Sequence, residues 1–369
     1  MQPHATERTL AAPLPFDARA QSNDEPPRPS TAGPTSSFQP IRLANFARET
    51  APRLIVVIDA EEEFDWFGEF SRNATNVTSM AHQGPAQALL NRHGVVPTYA
   101  VDYPVAAQEE GYASLRDWVK DGACEIGAQL HPWVNPPFDE AVTPRNSFPG
   151  NLPADLEAAK LQALTDRIEA TFGVRPRVYR AGRYGIGPNT AALLSRAGYL
   201  VDSSTVPFTD MRSKFGPDFR AFRPHPYWFG PGARLLELPV TSGLVGRLGA
   251  RAPWLHDVAE HRLGRALRLG AVLARTGALM RVRLTPEGVP IDEAISATRS
   301  LYEQGLRVFT LSWHTPSMVP GHTPYVRSAR DLSLFLDWLR RYLDFFFGEL
   351  QGKASTPLTL RDELLADDA

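Results

Sequence analysis

Cysteine is all but missing from this chain: Cys124 stands alone among 369 residues. That excludes an internal disulfide framework and a cysteine-built zinc knuckle. Its setting, Gly-Ala-Cys-Glu-Ile-Gly, suits a small buried residue opening a strand rather than a nucleophile. An excess of one charge is missing too. The net charge is −2, so no polyanion-binding surface is implied and nucleic acid is not an expected partner. No run reaches the roughly 18 apolar residues of a membrane-spanning helix. Residues 1–20 lack the apolar centre of a secretion signal. The expected location is cytoplasmic, where the glycosylation sequons at Asn73 and Asn76 carry no meaning.

What is present is ordinary for a soluble globular enzyme, with 43% hydrophobic and 22% charged residues. Residues 1–50 hold eight prolines and no sustained periodicity, which predicts a disordered tail. From Leu54 onward, short apolar runs alternate with helical patterns. Strands are expected at Leu54–Asp59, Pro97–Val101, Glu125–Leu130, Val178–Ala181, Tyr199–Asp202, Leu235–Val240 and Val308–Ser312. Helices are expected at Gln83–His93, Tyr112–Lys120, Asp155–Phe172, Pro188–Ala197 and Asp292–Gln304. This alternation predicts a mostly parallel α/β sheet, open or closed into a barrel, over residues 51–350. Residues 351–369 read as a C-terminal tail.

One interval breaks the rhythm. Residues 244–286 carry eight arginines and only two acids, Asp257 and Glu260, interleaved with leucines. A helical insertion is expected there. It would either flank the sheet with its arginines solvated, the preferred reading, or offer a basic amphipathic surface around 247–283 for peripheral membrane contact.

Chemistry concentrates where the predicted strands end. Leu54-Ile-Val-Val-Ile58 runs into Asp59-Ala-Glu-Glu-Glu-Phe-Asp65, a burst of carboxylates at the strand edge where ligands collect in parallel α/β folds. Crowded acids need a cation among them, a metal or an arginine, unless the segment is simply a solvated acidic loop. The next expected strand ends in His131-Pro-Trp-Val-Asn135-Pro-Pro137, a stiff loop that fixes an imidazole. With hard oxygen ligands, one imidazole suits zinc, manganese, iron or cobalt. Tyr179-Arg180-Ala-Gly-Arg183-Tyr184-Gly185 brings arginines and a glycine turn able to aim backbone N–H groups at an oxyanion. Asp202 and His314 end two further strands, and His314 occupies a place suited to a general acid.

The wording Asp-Ala-Glu-Glu-Glu-Phe-Asp-Trp, Arg-Ala-Gly-Arg-Tyr-Gly and His-Thr-Pro-Ser-Met-Val-Pro-Gly-His-Thr-Pro-Tyr resembles the NodB-homology polysaccharide deacetylases, carbohydrate esterase family 4, in their WalW-like branch. The resemblance covers roughly residues 54–348 and implies a distorted (β/α)7 barrel. It implies Asp59 as catalytic base, Arg180 as its partner, the Tyr184 backbone at the oxyanion, Asp202 as the acid tuning the catalytic pair, and His314 as general acid. It places the metal on Glu62, or on Glu61 if the register shifts, with His131 and with Asn135 where a second histidine usually stands. Val206 stands where the family has a tryptophan. The implied cofactor is a divalent metal, zinc first, with cobalt, manganese or iron as alternatives. The implied activity is removal of N-acetyl groups from a sugar or polysaccharide intermediate during polysaccharide biosynthesis. Two other readings stay open: a weakly active or inactive glycan binder that stacks sugars on Trp66, Trp133 and Trp313, and an amidohydrolase of a non-sugar amide.

Overall fold

In a computed structural model of the chain, residues 35–44, 46–47, 49–248, 254–260, 264 and 269–367 are described. Twelve strands are found among them: β1 (Arg42–Leu43), β2 (Arg53–Ala60), β3 (Thr98–Val101), β4 (Glu125–Leu130), β5 (Val178–Ala181), β6 (Val201–Asp202), β7 (Tyr227–Phe229), β8 (Leu235–Glu237), β9 (Ser242–Val245), β10 (Met280–Arg283), β11 (Val308–His314) and β12 (Lys353–Ala354). Seven of them, β2 to β6 with β8 and β11, form one parallel sheet in the order β8-β6-β5-β4-β3-β2-β11. These are the seven expected strands, with no end moved by more than three residues and β4 and β5 unchanged.

The sheet curls until its two edges meet. Just past β8, the Thr241 amide donates to the Thr310 carbonyl at 3.4 Å, and the Thr310 amide donates to Thr241 Oγ1 at 2.7 Å. A few bonds at this seam replace a continuous ladder, which is the distortion in the (β/α)7 barrel. Alternation along each strand sorts the side chains. Leu54, Val56 and Ile58 of β2 pack under the surrounding helices, whereas Ile55 and Val57 join Ala100, Val178, Val201, Leu236 and Val308 in a second cluster. Asp59 follows Ile55 and Val57 in this alternation, and His314 follows Val308. The β2–β11 register sets Asp59 directly opposite His314.

Helices Gly84–Arg92, Glu109–Lys120, Ala154–Phe172, Thr190–Ala197 and Ile291–Glu303 fall where periodicity places them. The longest stops at Gly173, whose φ of 71° supplies the left-handed cap.

Three expectations change at the margins. Residues 1–34 of the anticipated tail lie outside the described residues, but its inner end is docked. Phe38 is fully buried and stacks on Phe229 at 4.5 Å, and β1 pairs with β7. Residues 351–367 of the expected C-terminal tail are built into the fold: β12 extends the sheet beside β2, and helix Pro357–Asp367 inserts Leu360 and Leu364 into the inner cluster. In the arginine-rich insertion, helices Trp254–Glu260 and Leu269–Arg275 are held between the antiparallel strands β9 and β10. The segment is therefore a hairpin carrying helices rather than a wholly helical excursion. No helix among the described residues is long and apolar enough to cross a membrane.

Candidate active site

Two groups of side chains share the C-terminal edge of the barrel, one around Asp59 and one around His131. Asp59 is buried and its Oδ1 accepts from Arg180 Nη1 at 2.6 Å. The same guanidinium donates from Nε to the Ser203 carbonyl at 2.9 Å and from Nη2 to Ser203 Oγ at 3.0 Å. Arg180 is thus fixed as a planar fork with the Asp59 carboxylate at one tip. On the other side of Asp59, His314 Nε2 lies 3.5 Å from Oδ2.

The partner that orients His314 is Glu287. Its Oε2 lies 2.8 Å from His314 Nδ1, and its Oε1 accepts from the His314 amide at 3.1 Å and from Ser317 Oγ at 2.5 Å. Burial alone would lower the His314 pKa. The Glu287 charge and hydrogen bond, helped by Asp59, outweigh it and hold the imidazole above its ordinary value.

The second group surrounds His131. Its Nδ1 is 2.7 Å from Glu62 Oε2, whose other oxygen accepts from Trp133 Nε1 at 2.7 Å. The Glu62 amide donates to Asp102 Oδ2 at 2.7 Å, and Asp102 also caps the helix that follows β3. On the opposite ring edge, His131 Nε2 lies 3.7 Å from Glu61 Oε2. Gln129 Nε2 donates to that same oxygen at 3.1 Å, and Glu61 Oε1 is buried without a partner.

Burial forces the charges here apart from their solution behaviour. His131 is pushed down to about 4, and so is neutral near pH 7. Burial pushes Glu62 up to about 7 against hydrogen bonds that lower it. Glu61 and Asp102 are raised as well, Glu61 by burial and then by the charges of Asp59, Glu62 and Asp102. Three buried carboxyls around a neutral imidazole require protons or a cation. One atom each of Glu62, Asp102 and His131 lies within 4.8 Å of the others. Hard oxygens with one imidazole and an orphaned carboxylate oxygen beside them fit a divalent metal.

The remaining predicted residues take different places. Tyr184 follows Arg183 in a turn where both carry positive φ, 55° and 58°, a sparsely populated conformation typical of functional loops. Gly182 is obligatory in that turn, since a Cβ there would meet the Leu130 carbonyl at 2.3 Å and the His131 ring at 2.4 Å. The glycine is what lets β5 close against the imidazole. Asn135 commits only the nitrogen of its amide: Nδ2 donates to the Pro136 and Lys160 carbonyls at 2.7 and 2.9 Å, while Oδ1 is buried without a partner. Lys160 completes that clamp, its ammonium donating to the carbonyls of Pro132, Asn135 and Pro137. Asp202 is fully buried and bonds Ser204, behind Arg180, with Glu237 opposite it in the β6–β8 register. Burial raises the pKa of both. The Ser204 hydroxyl that bonds Asp202 also accepts from the Ala181 amide next to Arg180, while Glu287 is the acid that touches His314.

Sequence reasoning missed Asp102 and Glu287. Asp102 directly follows the run Pro97–Val101, so the rule that singled out Asp59 applies to it equally. Glu287 sits in Pro-Glu-Gly-Val-Pro after the insertion, away from any strand end, and only the fold brings it to His314. Trp133 and Trp313 are each 1% exposed: Trp133 stacks on the His131 ring at 4.4 Å and bonds Glu62, and Trp313 packs edge-on against Phe335 in the core.

No protein-family model matches the sequence, and no curated protein matches it. Solved structures do. A protein assigned as a polysaccharide deacetylase from Mycobacterium smegmatis superposes with a TM-score of 0.51 at 15% identity, over 89% of this chain and 96% of that one. PuuE allantoinase gives 0.49 at 16% identity over 92% and 98%. The peptidoglycan deacetylase PdaC from Bacillus subtilis gives 0.39 at 11% identity over 88% and 95%. The chain has the NodB-type fold of the polysaccharide deacetylases.

Proposed function

We propose that this chain is a metal-dependent hydrolase that removes N-acetyl groups from a sugar or glycan intermediate of polysaccharide biosynthesis, and that it belongs to the WalW-like branch its motifs resemble. The observation that carries the reading is Asp59 held between Arg180 and His314, on the same barrel edge as the Glu62–Asp102–His131 group. Glu62, Asp102 and His131, with Glu61 adjoining, would hold the metal, zinc first in this reading. When bound, a divalent metal supplies Lewis-acid polarisation and a more acidic water.

The protein's own residues supply the proton traffic. Asp59 accepts the proton of the attacking water, and Arg180 compensates its charge throughout. The backbone N–H at Tyr184 is assigned to the developing oxyanion, as the resemblance implies. His314, protonated and steadied by Glu287, gives its Nε2 proton to the departing amine. Acetate and the free amino sugar result.

Acetate release from N-acetylated sugars, followed against pH, tests this assignment. His314 must be protonated to act as acid, so kcat/KM falls as pH rises through its raised pKa. Glu287→Gln removes the charge that raises it, and the alkaline limb then moves to lower pH. An alkaline limb that stays in place would remove His314 from the general-acid role.

A further inference from the structure

The groups proposed to do the chemistry are almost sealed from solvent. Asp59 is 2% exposed, Glu61 1%, His131 2%, Arg180 1% and His314 8%. What covers them is the segment that follows β2, together with two opposing walls. Trp66 sets its ring edge-on to His314 at 5.1 Å and to Tyr325 at 5.8 Å. Phe64 stacks on Trp66 at 5.0 Å and meets the His131 ring edge-on at 6.3 Å. The two imidazoles therefore lie under one aromatic cover. Across the site, Arg283 of β10 contacts the Tyr184 hydroxyl and lies 4.9 Å over its ring, so the insertion hairpin forms the second wall.

The cover is pinned at its two ends and by one latch. At its start, Glu63 Oε1 accepts from Thr78 Oγ1 and the Ser79 amide, each at 2.7 Å. Toward its end, Gln108 Nε2 donates to the Thr75 carbonyl at 2.6 Å. Between them, Arg72 Nη1 donates to the Phe138 carbonyl at 2.9 Å and also bonds the Glu140 carbonyl. The intervening residues Phe67, Gly68 and Glu69 are exposed. Arg72 thus ties the cover to the loop that carries His131.

An interior residue of a polymer can reach a catalytic base only through a groove open at both ends, because the chain must leave on either side. A covered site admits a compact ligand, or one chain end, when the cover lifts. We infer that, if the deacetylase reading holds, the substrate is a small acylated amine or the terminal residue of a glycan, enclosed under Trp66, and not the interior of a polysaccharide.

The test is a length series: N-acetylglucosamine, its linear tetramer and insoluble chitin, with free amine measured and the deacetylated position mapped by mass spectrometry. The expected result is a kcat/KM for the monomer at least tenfold above that of the tetramer's interior residues, with tetramer product deacetylated only at an end. Trp66→Ala should narrow that gap. Interior deacetylation of tetramer and chitin at the monomer's rate would overturn the inference while leaving the deacetylase reading intact. If no member of the series is hydrolysed, the deacetylase reading itself loses its support, and the enclosure is read independently. Diethyl pyrocarbonate modification of His314 is compared with that of exposed His82 by peptide mass spectrometry. At least tenfold slower modification of His314, accelerated in Trp66→Ala or in the latch variant Arg72→Ala, supports the enclosure. Equal rates at the two histidines in the unmodified protein overturn it.

Discussion

Asp59→Asn lowers kcat by about 10²–10⁴-fold, the range expected when a positioned general base is lost. Asparagine keeps the shape of the side chain and can still accept the 2.6 Å hydrogen bond from Arg180 through its amide oxygen. What it cannot do is take a proton from water. The variant therefore separates proton transfer from architecture, provided its metal content and thermal unfolding match the parent. Steady-state kinetics on an N-acetylated sugar decides it. A kcat within a few-fold of the parent would move the base elsewhere, with Glu61, whose Oε1 is unpartnered, the next group in line.

Arg180→Met destabilises the fold by about 3–5 kcal/mol, because it strands a carboxylate that is nearly out of contact with water. Asp59 is 2% exposed, and its distance to Arg180 Nη1 is the shortest among its contacts with charged partners. Ser203 loses donors at both its carbonyl and its hydroxyl in the same step. Urea unfolding measures the loss. The double variant Arg180→Met with Asp59→Asn should regain part of it, since the stranded charge is then gone, and the difference is the coupling between the two residues. A loss below about 1 kcal/mol, the range of an exposed pair, would mean that Asp59 is not an uncompensated charge without Arg180.

Much of this arrangement is legible in the sequence. Leu54–Ile58 is unbroken apolar sequence because β2 is covered on both faces, and such strands announce themselves. The acids and histidines at strand ends were legible for the same reason: a parallel barrel delivers every strand end to one rim. What the pattern could not show was pairing between distant segments. Glu287 reaches His314 only because the hairpin β9–β10 folds back beside β11, as the Ser312 amide bonding the Leu284 carbonyl at 3.4 Å reports. Asn135 has the spacing of a ligand, and nothing in the sequence shows that its Nδ2 is spent on the Lys160 carbonyl while Oδ1 is left without a partner. The inner end of the N-terminal segment failed for a different reason. Its proline content reads as disorder, while Phe38 is held by tertiary stacking on Phe229 rather than by any local preference.

The most direct test of the account is the metal content of the purified protein by plasma mass spectrometry, before and after loading with zinc, beside His131→Ala. About one metal per chain is expected in the parent, and its loss in the variant, because the imidazole is the only nitrogen ligand in the Glu62–Asp102–His131 group. A parent that takes up no zinc, cobalt, manganese or iron, or a variant that binds as much metal as the parent, would contradict it.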